Sequence, residues 1–246
     1  MVAFRILDTG ATTMGSTVEI KRPDGQSLQG YLAEPADRAA AAHVPGVVVI
    51  QEWWGLNAQI KGVAERYAAA GYVALVPDLY RGKATVEAAE AEHLMTSLDF
   101  GDAAAQDLRG AVQYLKARCP KVGVNGYCMG GALTLLAAVN VPEADAVVAH
   151  YGYPPLEYID AAKIHAALMA HWATHDAFFA IAGVDALEQE LRAAGKSFEF
   201  HRYEAKHAFA NETQLPPNCP PSNEYNPDAA ALAWQRTLEF FARELR

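Results

Sequence analysis

The chain has 246 residues, enough for one large α/β core and short for two. Apolar residues make up 52% and charged residues 20%, which excludes a disordered chain, and a net charge of −9 argues against a nucleic-acid partner, since neutralising phosphates takes clustered Lys and Arg. No stretch approaches the roughly 20 apolar residues of a membrane helix, and Met1–Thr13 carries Arg5 and Asp8 in place of an apolar leader run.

In chain order, Ser16–Ile20 and Ser27–Ala33 alternate around Pro23-Asp24-Gly25 and predict a hairpin. Ala36–His43 is Ala-rich and reads as a surface connection. The β-branched run Gly46–Ile50 predicts a buried strand. Asn57–Ala70 predicts a helix stopped by Gly71, and Tyr72–Val76 a strand stopped by Pro77. Helical periods follow over Val86–Leu98 and Ala103–Ala117. Lys121–Asn125 reads as a strand and Gly130–Val139 as a helix. Ala144–His150 and Ile164–Trp172 read as strands. Ala177–Ala194 is helical, Ser197–Tyr203 alternates as a strand, and Asp228–Leu245 is an amphipathic helix opened by Pro227. Strand–helix alternation of this kind predicts one α/β domain over residues 1–246, with a mostly parallel sheet covered by helices on both faces. Ligands of such sheets bind at the carboxyl ends of the strands.

Gly126-Tyr127-Cys128-Met129-Gly130-Gly131 falls between an apolar strand and an apolar helix. It has the form of a nucleophile elbow with Cys in place of Ser. Small neighbours make room for a strained turn, and the helix N-terminus beyond it favours a thiolate and a developing oxyanion. Cys119 and Cys219 lack such a context and read as bystanders. Three cysteines without a leader suggest reduced thiols in a cytoplasm. A nucleophilic thiol needs a base, and the base needs an orienting group. Among eight histidines, His207 follows a strand after a short turn. Asp176 follows another strand, where it could also serve as a helix N-cap. The order Cys128, Asp176, His207 is that of a hydrolase triad on this fold. His171, His175 and His207 lack the spacing of a zinc site, so neither metal nor cofactor is expected.

These segments carry a resemblance to the dienelactone hydrolase family, an α/β-hydrolase family. Gln51-Glu52-Trp53-Trp54-Gly55-Leu56-Asn57, Pro77-Asp78-Leu79-Tyr80-Arg81-Gly82, the Cys128 elbow, Thr174-His175-Asp176 and the stretch from Tyr203 to Asn211 run in family order. The resemblance implies hydrolysis of an ester or lactone, such as a dienelactone, through a thioester. It implies Cys128, His207 and Asp176 as the triad and Glu52 as a carboxylate contacting the resting thiol. It also implies the Met129 and Trp53 N–H groups as oxyanion donors and Arg81 beside a substrate carboxylate. Asn211 stands where dienelactone hydrolases proper carry a second arginine, which counts against the dienelactone itself and leaves the reaction class untouched. Trp53, Trp54, Tyr80, Tyr151, Tyr153 and Phe209 are candidate walls of a small-molecule pocket. The readings that compete are a ligand binder without turnover and a thiol redox sensor. The sequence does not address oligomeric state.

Overall fold

The computed structural model describes residues 15–36, 44–217 and 219–246. Met1–Thr13, and the Ala36–His43 connection from residue 37 on, lie outside the described residues. Eight strands form one sheet: β1 (Ser16–Lys21), β2 (Ser27–Ala33), β3 (Gly46–Ile50), β4 (Val73–Pro77), β5 (Val122–Tyr127), β6 (Ala146–His150), β7 (Ala167–His175) and β8 (Phe198–Lys206). Their order is β1-β2-β4-β3-β5-β6-β7-β8. The β1–β2 and β2–β4 pairs are antiparallel, and every other neighbouring pair is parallel.

The helices are α1 (Ala58–Ala69), α2 (Ala88–Thr96), α3 (Phe100–Asp102), α4 (Arg109–Lys116), α5 (Met129–Asn140), α6 (Ile181–Ala193) and α7 (Pro227–Glu244). Caps fix their ends. The Asn57 side chain accepts from Ile60 N–H at the start of α1, and Asn226 does the same for Ala229 ahead of Pro227 in α7. The central strands are buried on both faces. Val48 and Ile50 of β3 point into one core with Leu108, Leu115 and Leu133, whereas Val47 and Val49 point into the other with Val63, Tyr67 and Phe241. The period of two along a strand thus feeds two helix layers, and the expected α/β-hydrolase arrangement is what the chain adopts.

Two expected elements differ. The helix expected over Ala103–Ala117 is built from α3, a π-helical stretch at Ala103–Leu108, and α4. The helix expected from Ala177 starts only at Ile181, because the Asp176 side chain folds the intervening residues into a turn by accepting from Phe178 and Phe179 N–H.

Candidate active site

β5 ends at Tyr127 and α5 begins at Met129, so Cys128 alone makes the turn between them. It does so with φ 56 and ψ −118, a conformation that costs a residue with a Cβ about 1–3 kcal/mol and persists only where the surroundings hold it. They do hold it. Cys128 N–H donates to His150 O at 3.0 Å, and Cys128 O accepts from Gly131 and Ala132 N–H at 2.8 and 3.1 Å. Two glycines make the packing possible. A Cβ on Gly126 would lie 2.0 Å from Gly130 O, and one on Gly152 would lie 1.9 Å from Cys128 O. The sulfur is half-buried at the helix N-terminus. Neither Met129 N–H nor Trp53 N–H has an acceptor among the described residues.

His207 follows β8 directly, and its Nδ1 lies 2.7 Å from Asp176 Oδ2. The other Asp176 oxygen accepts from Phe178 and Phe179 N–H at 2.8 and 2.9 Å, which aims the carboxylate. A carboxylate accepts only, so Nδ1 donates, and Nε2 is left to face the Cys128 sulfur, whose influence reaches the ring. Burial alone would push the His207 imidazolium down. Cys128 and then Asp176 outweigh it and raise the pKa to about 10. Cys128, Asp176 and His207 therefore meet at the carboxyl ends of β5, β7 and β8.

Glu52 departs from expectation. Its carboxylate is buried, but it bonds Tyr151 and Asn211 and not the thiol. Tyr151 Oη donates to Oε1 at 3.1 Å, and Asn211 Nδ2 donates to Oε2 at 2.6 Å. Asn211, expected as a substrate contact, is 1% exposed and spends its amide on Glu52. Burial pushes the Glu52 carboxyl up, while His207, Asn211 and Tyr151 pull the other way. Tyr151 reaches Glu52 from a left-handed backbone, φ 36, and its ring meets His207 edge to face at 5.1 Å.

The remaining expected residues separate. Tyr80 is beside the sulfur. Its hydroxyl donates to Met129 Sδ at 3.2 Å, and burial followed by the Cys128 charge pushes its ionisation up. Trp53 and Trp54 pack edge to face at 5.0 Å. Phe209 is a core residue and not a pocket wall: it is 0% exposed, with its ring against Tyr151 at 5.2 Å and Tyr203 at 5.0 Å. Arg81 turns to a buried aspartate. Its Nη2 donates to both oxygens of Asp107 at 2.8 and 2.9 Å, and its Nη1 to Asp78 O at 3.0 Å. No described hydrogen bond joins Arg81 to Cys128 or His207.

Two residues that sequence reasoning missed flank His207. Phe178 and Phe179 place rings 4.9 and 5.7 Å from His207, and Phe178 is 54% exposed. Their position just after Asp176, in Asp176-Ala177-Phe178-Phe179, was the available signal. Cys119 is buried in the core, where burial pushes its thiol up to about 11. Cys219 donates to Asn223 O at 3.4 Å. His171 is a core histidine, bonded to Tyr203 Oη at 2.8 Å and Thr237 Oγ1 at 3.0 Å. Among the described residues no group of three or more His, Cys, Asp or Glu is placed to hold a metal ion, and no helix is long and apolar enough to cross a membrane.

Comparison with known proteins extends this geometry. A sequence model described as the dienelactone hydrolase family matches residues 28–245. Protein usf of Aquifex pyrophilus is 33% identical over 94% of this chain and 100% of its own. A Synechocystis protein named as a candidate carboxymethylenebutenolidase is 32% identical, again over 94% of this chain and 100% of its own. The crystal structure of a candidate dienelactone hydrolase from Klebsiella pneumoniae superposes with a TM-score of 0.77 at 27% identity, covering 93% of this chain and 99% of that one.

Proposed function

This chain belongs to the dienelactone hydrolase family, and we propose that within it Cys128, His207 and Asp176 hydrolyse a carboxylic ester or lactone through a thioester. The observation that carries the reading is His207, bonded to Asp176 through Nδ1 and electrostatically coupled to the sulfur on the strained turn.

The chemistry follows from where the proton sits. The Cys128 sulfur adds to the ester carbonyl, and the carbonyl oxygen takes the charge. The unpartnered N–H groups of Met129 and Trp53 are the donors proposed to receive that oxyanion. As the tetrahedral adduct collapses, the C–O bond to the leaving group breaks and His207 Nε2 gives that oxygen its proton. A thioester remains. The sulfur has now lost its charge, and with it the larger of the two attractions that raised His207, so the imidazole can act as a base. It takes a proton from water, hydroxide adds to the thioester, and the sulfur leaves as the acid product forms. Asp176 keeps Nδ1 protonated throughout and opposes the imidazolium charge.

A lactone with a conjugated leaving oxygen, of the dienelactone type, suits this mechanism, because its enolate leaves readily. Arg81 is the group proposed to favour a carboxylate on the substrate. Tyr80, Trp54 and the exposed Phe178 are the proposed apolar walls.

Hydrolysis of a chromogenic ester by purified protein tests the reading. Cys128→Ala is expected to lose at least about a thousandfold in kcat, whereas Cys119→Ala and Cys219→Ala keep most of it. Near wild-type turnover by Cys128→Ala, free of host esterases, would sink the mechanism. No turnover by the wild type on a panel of small esters and lactones would favour a binder.

A further inference from the structure

A second cavity, of about 270 Å³, opens on the face of the sheet covered by α1 and α7. Its walls include Arg66 of α1, Tyr127 of β5, His150 of β6, Tyr225 just before α7 and Trp234 of α7. None of these takes part in the steps proposed for hydrolysis. Tyr151 stands between the two sites, with its ring centroid 6.2 Å from that of Tyr127 and 5.1 Å from that of His207.

The polar groups on these walls are donors. His150 is 2% exposed. Asn125 Nδ2 donates to Val148 O at 2.8 Å, which fixes the amide, and lies 3.0 Å from His150 Nδ1. Nδ1 is therefore an acceptor, and the ring proton sits on Nε2. Nε2 has no partner among the described residues, although His150 lines the cavity. Burial and then the Arg66 charge push the imidazolium down to about 3, so the ring stays a neutral donor. Burial likewise pushes ionisation of the Tyr127 phenol up, so it keeps its proton. No hydrogen bond engages that hydroxyl among the described residues. Arg66 adds the charge. Its guanidinium lies 5.1 Å above the Trp234 ring and makes no ion pair among the described residues. The charges of Glu212 and Glu52 reach Tyr127, but Glu212 accepts from Gln59 Nε2 at 3.3 Å and Glu52 from Tyr151 and Asn211.

A cation and two neutral donors without an acceptor call for an anion. The Trp234 and Tyr225 rings add a flat apolar wall, which a bare inorganic ion would not use. A carboxylate on an aromatic ring meets both demands, since its oxygens take the guanidinium and the two donors while its ring lies against the aromatic side chains of the wall. From these contacts we infer that the cavity is a binding site for a small aromatic carboxylate, separate from the Cys128 site.

Calorimetric titration of the full chain with sodium benzoate tests this. Saturable binding is expected for the wild type and for Arg81→Ala. Loss of a charge-assisted bond weakens binding by about tenfold or more, and that loss is expected for Arg66→Gln, whose exposed side chain has no ion pair for the fold to miss. Benzamide keeps the ring without the charge and is expected to bind the wild type tenfold or more weakly than benzoate. The inference is overturned by absent benzoate binding, by equal binding to Arg66→Gln, or by equal binding of benzamide. A loss in Arg81→Ala and not in Arg66→Gln would put benzoate in the Cys128 site and overturn it as well.

Discussion

His207 is held between Asp176, 2.7 Å from its Nδ1, and the Cys128 sulfur. Burial works against its charge, so the pKa of about 10 depends on those two neighbours, the sulfur first. Removing one of them has a calculable direction. Carboxamidomethylation of Cys128 with iodoacetamide replaces the charged sulfur by a neutral thioether, and burial regains ground. The His207 pKa is expected to fall well below 10 in the alkylated protein, as read from the imidazole carbon-bound proton shifts across a pH titration. An unchanged midpoint would uncouple His207 from the sulfur. Glu52 enters this balance from a distance. A carboxylate touching the thiol would oppose a charged sulfur, but here the hydrogen bonds of Glu52 run to Tyr151 and Asn211.

Among the elements, the π-helical stretch Ala103–Leu108 carries the buried Asp107, which Arg81 and Arg22 share. Arg81 sits at a left-handed turn, φ 55, with its side chain 43% exposed. One guanidinium edge faces Asp107, and other N–H groups remain for a ligand. Arg81→Ala is expected to lower kcat/KM about tenfold for an ester bearing a carboxylate, the size of a charge-assisted hydrogen bond, and much less for a neutral isostere. Equal losses on both would leave Arg81 as the partner of Asp107 alone. The elements differ in how far sequence reveals them. Strands such as Gly46–Ile50 and the helix capped by Asn57 were legible because apolar period and caps are local. The elbow was legible because its glycines flank one cysteine, and the meeting of Cys128, Asp176 and His207 because each follows a strand. The Glu52–Asn211 pair was not, because it joins residues 159 apart in sequence, and no local pattern records such a meeting. The π-helical stretch left no signal in a run that reads as ordinary helix. The aromatic residues after Asp176 were hidden by reading Ala177 as already helical.

Across the whole molecule, β6, β7 and β8 set three histidines side by side. His150 pairs in register with His171, and His171 with His201. His150 and His171 are buried within the packed sheet, and burial pushes both imidazolium groups down, His150 to about 3. An unfolded chain would protonate them near the ordinary pKa of about 6.5. Between about 6.5 and 3 the unfolded state therefore binds more protons than the native state. Stability from these groups is complete above about 6.5 and is lost as pH falls, with a slope of up to about 1.4 kcal/mol per pH unit for each. Glu52 and Asp107, which burial pushes up, work the other way over part of this range, because their native carboxyls hold protons longer. His171 isolates one contribution. Gln in its place retains a donor and an acceptor for Tyr203 and Thr237 but cannot titrate. Urea unfolding at pH 7 and pH 5 is expected to show a loss in the wild type that is smaller in His171→Gln by about 2 kcal/mol, roughly one proton over 1.5 pH units. An identical pH dependence in the two proteins would mean that His171 is not the neutral core residue its hydrogen bonds describe.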